Sequence, residues 1–74
     1  MESIQFLIVR KESFQIKKCQ IKMGMINLNC LEFQELYNNF YDFYYNAKKA
    51  GFYLEELEKM RVSMDEMYYN FFKK

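Results

Sequence analysis

Hydrophobic and polar positions follow two different rhythms along this chain. Between Ile4 and Val9, Ile4, Phe6 and Ile8 alternate with Leu7 and Val9, and β-branched and aromatic residues dominate. That is the pattern of a strand. Arg10-Lys11-Glu12-Ser13 is a polar break of hairpin-loop length. Phe14 and Ile16 resume the alternation, Lys17-Lys18 interrupts it, and Cys19, Ile21 and Met23 restart it one residue out of step. One extra residue that flips the pattern is the signature of a β-bulge. The lysine pair would guard an exposed strand edge. Gly24 ends the second strand, and residues 25–28 read as a third strand or a connection.

From residue 29 onward the period changes. Asn29 followed by Glu32 makes a capping box, and Leu28 and Phe33 occupy the positions of a hydrophobic staple. Phe33, Leu36, Phe40, Phe43, Ala47 and Ala50 then step by 3, 4, 3, 4 and 3, which holds one helical stripe. Lys48 and Lys49 suit the last turn, and Gly51 the left-handed position after it. Tyr53, Leu57, Met60, Met64, Met67 and Phe71 give the same rhythm on a second helix. Glu55–Lys59 and Arg61–Asp65 are i,i+4 pairs on its exposed side. So short a connection predicts antiparallel helices over about residues 30–50 and 54–72.

The expected fold is therefore α+β: one domain over residues 1–74, in which an N-terminal antiparallel β-hairpin or three-stranded meander (1–28) packs on a C-terminal antiparallel helical hairpin (29–74). Each helix also carries a second apolar stripe: Tyr37, Tyr41 and Tyr44 or Tyr45 on the first, Tyr68 and Phe72 on the second. These stripes either pack on the N-terminal sheet or meet a partner protein. Tyr45, Tyr69 and Phe72 lie furthest from the heptad stripes and are the expected partner-binding residues, since tyrosine offers apolar area with a polar tip.

Composition narrows the function. With 74 residues the chain sits near the size limit for folding alone, and eight Phe and seven Tyr supply much of its buried area. The formal charge of +1 gives no global field for nucleic acid or membrane, and no run approaches transmembrane length. Near-neutrality with many aromatics favours association, so self-pairing into a homodimer through the same aromatic patch is a further expectation. The basic residues Arg10, Lys11, Lys17, Lys18 and Lys22 gather in the first part of the chain, a candidate phosphate-tracking patch on the hairpin. Cys19 and Cys30 make no disulfide framework and read as small core residues; free thiols and the lack of a signal peptide point to a cytoplasmic setting. Abundant Asn, Lys, Ile, Phe and Tyr match AT-rich coding sequence, as in a low-GC bacterium or its phages.

No catalytic constellation is visible. There is no His, which removes the usual acid–base group and the commonest metal ligand. The cysteines and carboxylates lack zinc spacing, and no glycine-rich phosphate loop or nucleophile elbow occurs, so neither metal nor cofactor is expected. The segment Gly51-Phe-Tyr-Leu-Glu-Glu-Leu-Glu-Lys-Met-Arg-Val-Ser-Met-Asp65 resembles, in spacing, the small sporulation-regulating aspartyl-phosphate phosphatases. In that family a helical hairpin turns at a Gly and carries Ser-Gln-Glu-Leu-Asp on its second helix. The resemblance covers residues 31–74 and implies dephosphorylation of response regulators with Asp65 as the functional residue. The first three motif positions fall on Arg61, Val62 and Ser63, which depart from it. The expected function is a small non-enzymatic regulator or inhibitor of another protein, of the anti-defence type carried by phages or mobile elements. The alternatives are the phosphatase and a small nucleic-acid-binding protein.

Overall fold

Ser3 opens the first element by capping it: its side chain accepts the backbone N–H of Phe6 at 3.2 Å, satisfying a donor that a helix start leaves without a partner. A computed structural model describes residues 3–73, which form helices α1 (Ile4–Lys22), α2 (Cys30–Lys49) and α3 (Leu54–Phe72). There is no strand among the described residues. The expected α+β fold is corrected to all-α: the β-hairpin and its bulge are replaced by a single 19-residue helix, and residues 25–28 form a connection and not a third strand.

The correction has a physical reason. Leu7, Phe14 and Ile21 stand seven residues apart and face the core, Leu7 fully buried and the other two half-buried against the cluster. Lys11 and Lys18 fall between them on the same side, where their stems cover apolar surface. These two charges hide the helical stripe from a simple hydrophobic count. Phe6, Val9, Ile16 and Met23 point outward instead and remain exposed. A helix apolar on opposite sides looks, over a short window, like an alternating strand.

Both glycines close helices in the same way. After α1, Gly24 at φ +72° donates its N–H to Ile21 O at 3.1 Å, and Met25 donates to Gln20 O at 2.9 Å. After α2, Gly51 at φ +70° donates to Lys48 O at 3.1 Å and Phe52 to Ala47 O at 3.0 Å. This paired bonding is the Schellman motif, whose left-handed residue is easiest for Gly. At the start of α2 the capping box is complete: Asn29 Oδ1 accepts the Glu32 N–H at 2.8 Å, and Glu32 Oε1 accepts the Asn29 N–H at 3.1 Å. Leu28 packs on the main core, and Phe33 sits among the rings of Tyr68, Phe71 and Phe72.

The helices run up, down and up in a bundle of 36 × 20 × 20 Å. Leu7, Leu36, Phe40, Phe43, Ala47, Leu57, Met60 and Met64 form the shared centre. Phe14 ties α1 to α2, its ring 5.5 Å from Phe40 and 5.3 Å from Phe43. Cys19 and Cys30 are free and exposed, so the expectation that they fill the core is also corrected.

Candidate functional site

The hinge at Gly51 decides which side chains of α2 and α3 meet. Residues equidistant from it face each other across the antiparallel pair. Tyr37 and Asp65 stand fourteen positions from Gly51, Tyr41 and Arg61 ten, Tyr44 and Glu58 seven. The three pairs build one polar network. Tyr37 and Tyr41 donate their hydroxyls to Asp65 Oδ1 at 2.8 and 2.5 Å. Arg61 donates to Asp65 Oδ2 at 2.8 Å and to Glu58 Oε2 at 3.0 Å. Tyr44 donates to Glu58 Oε1.

These bonds set the protonation of their members. Burial, then hydrogen bonding to Tyr41 and Asp65, pushes the Tyr37 phenol well above its ordinary value. Burial and the bond to Asp65 push Tyr41 the same way. The bond to Glu58 raises Tyr44, and bonding to Tyr44 and Arg61 holds Glu58 below the usual carboxylate range. Glu58 and Tyr41 keep Arg61 more firmly protonated. Phenols held neutral are fixed donors, and the rings of Tyr37, Tyr41 and Tyr44 are fixed with them.

Tyr37 and Tyr41 belong to a continuous line of rings over the α2–α3 face. Phe72 lies 4.6 Å from Tyr68, Tyr68 4.2 Å from Tyr37, Tyr37 4.9 Å from Tyr41, and Tyr41 6.0 Å from Tyr45. Tyr68 also donates to Gln34 Oε1 at 3.3 Å. An open groove of about 500 Å³ is lined by Tyr37, Tyr41, Tyr68, Tyr69 and Phe72, with Asp65 and Lys73 at its polar edge. Of the three residues expected to meet a partner, Tyr69 and Phe72 lie together at this groove, 56% and 41% exposed. Tyr45, 60% exposed, extends the line from its far end rather than lining the groove.

The polar network is not legible in the residue pattern of either helix alone. Arg61–Asp65 read only as an exposed helix pair, and the tyrosines only as a stripe. Reflecting positions through Gly51 would have joined them. Asp65, the residue singled out by the phosphatase resemblance, has both carboxylate oxygens occupied by Tyr37, Tyr41 and Arg61.

The basic residues expected on a hairpin are distributed around α1 instead. Arg10 reaches Asn39 O at 3.1 Å and Asp42 at 3.5 Å, with its guanidinium 5.5 Å from the Phe43 ring centre. Lys11 pairs with Glu56 at 2.8 Å, which, with the Gln15 amide, holds that carboxyl below its ordinary range. Lys18 borders a groove with Glu55 and Glu56, while Lys17 and Lys22 are exposed. Asp42 of α2 and Glu55 and Glu56 of α3 thus stand against basic residues of α1.

Among the described residues no group of His, Cys, Asp and Glu is placed to hold a metal ion, and no helix is long and apolar enough to cross a membrane. No protein-family model, curated protein or solved structure matches the chain.

Proposed function

We propose that this chain is a small non-enzymatic regulator or inhibitor that binds another protein and occludes part of its surface with the aromatic face of α2 and α3. The observation that carries the reading is the line of rings from Phe72 to Tyr45, at whose middle Tyr37 and Tyr41 are held by Asp65, itself braced by Arg61. Rings already held in place lose little conformational freedom on binding, so their apolar area goes further toward affinity. Arg61, Glu66, Asn70 and Lys73 supply a polar rim beside exposed Val62 and Tyr69. An aromatic centre within a polar rim is the anatomy of a protein interface. The AT-rich coding bias favours carriage by a phage or mobile element, with action in the cytoplasm of its host.

The phosphatase reading would require Asp65 to leave three hydrogen bonds before it could act. The nucleic-acid reading would require α1's basic residues to outweigh the acids packed against them. Neither is favoured.

The test is capture of a partner by tagged protein from host extract, compared between the parent chain and Tyr45→Ala, Tyr69→Ala and Phe72→Ala. These side chains are exposed, so helix content should not change. Loss of one anchoring ring is expected to weaken binding by about thirtyfold, the effect of a 2 kcal/mol hot spot. Undiminished capture by the triple variant would remove the aromatic face from the interface.

A further inference from the structure

The outward side of α1 has an order that the bundle does not use. Phe6, Val9, Ser13, Ile16, Gln20 and Met23 step by 3, 4, 3, 4 and 3. The apolar members are 52%, 59%, 58% and 69% exposed, on the side opposite Leu7, Phe14 and Ile21. This is the a/d spacing of a coiled-coil seam. Glu12 flanks the seam on one edge, and Arg10 and Lys17 flank it on the other.

We propose that α1 pairs in parallel with α1 of a second copy along this seam. The flanking charges select the occupant and the direction. In a parallel pair each g position faces the e′ position five residues further on, which sets Glu12 against Lys17 of the second copy, twice by symmetry. An antiparallel pair would set g against g and e against e, which separates Glu12 from Lys17. A bilayer is a poorer match: interfacial helices present a broad apolar face, whereas this strip is narrow and carries Ser13 and Gln20 within it. A seam of six positions with three charged flanks is smaller than the roughly 20–30 residues a side of standard interfaces. The pair is therefore a concentration-dependent dimer that leaves the aromatic face free.

Sedimentation equilibrium under reducing conditions, over micromolar to near-millimolar chain, tests this directly. The parent is expected to pass from monomer to dimer, and Ile16→Glu to stay monomeric with unchanged helical circular dichroism. Glu12→Lys or Lys17→Glu alone should weaken pairing by roughly fivefold, the combined effect of two exposed ion pairs. Glu12→Lys with Lys17→Glu together should restore it. Tyr69→Ala with Phe72→Ala should leave it unchanged. A parent that stays monomeric throughout, or a dimer that survives Ile16→Glu, overturns the proposal. Failure of the double charge swap to restore pairing overturns the parallel arrangement.

Discussion

Single residues set the ends of these helices, and their roles were unequally legible. Asn29 with Glu32 announced a capping box, and the box is formed. Gly51 announced a helix end and supplies one at φ +70°. Gly24 does the same at φ +72°, though it reads as the end of a strand because the apolar residues before it alternate over short windows. No atom lies within 4 Å of a methyl group placed on either glycine, so an alanine there would meet only backbone strain. Gly24→Ala and Gly51→Ala should each cost about 1 kcal/mol, or a fall of roughly 4–8 °C in thermal midpoint for a domain of this size, read by circular dichroism. Tyr53 takes a left-handed conformation without glycine's freedom, at φ +38°. Its ring lies 4.5 Å from that of Phe52 and 4.7 Å from the Lys11 ammonium. Those contacts offset part of a conformational cost of about 1–2 kcal/mol.

Among the elements, α2 and α3 could be read from the chain and α1 could not. The first two carry one dominant stripe each, uninterrupted by charge. In α1 the inward stripe is broken by Lys11 and Lys18, while Phe6, Val9, Ile16 and Met23 lie outside it. Tertiary packing, more than local pattern, separates its two sides. Substitution distinguishes them: Leu7→Ala should lower unfolding free energy by about 3 kcal/mol, the cost of emptying a filled core site. Ile16→Ala should change it by less than about 0.5 kcal/mol, as surface changes do. Denaturant titration of both variants at a concentration where the chain is monomeric checks the orientation of α1. The exposure of Tyr45, Tyr69 and Phe72 followed from helical geometry. The Tyr37–Asp65–Arg61 network did not, since it depends on how two helices align across their hinge.

For the molecule as a whole, charge and protonation confine stability to a window. The carboxyls of Glu56 and Glu58 are held below their ordinary range, chiefly by Lys11 and by Tyr44 with Arg61. Their contribution is present above the unfolded carboxylate value and is lost as pH falls through the folded one. The phenols of Tyr37, Tyr41 and Tyr44 are raised, the first two chiefly by burial and the third by Glu58. Their contribution is complete below the unfolded value of about 10 and is lost as pH rises through the folded ones. Thermal midpoints should therefore hold a plateau between about pH 5 and 9 and fall on both sides. Tyrosinate absorbance should show these three of the seven phenols ionising late, and Tyr37→Phe should reduce the late fraction.

The two glycine-closed connections also bear on how this shape is reached. Each helix packs chiefly on its neighbour in sequence, through turns that the chain itself terminates. Contacts of such short span belong to folds that form in microseconds to milliseconds. With no proline in the sequence, the tens-of-seconds isomerisation that delays many chains has no place to occur. A ribosome takes about 50–200 ms to add one residue, so the aromatic face would be assembled almost as soon as α3 is free to pack.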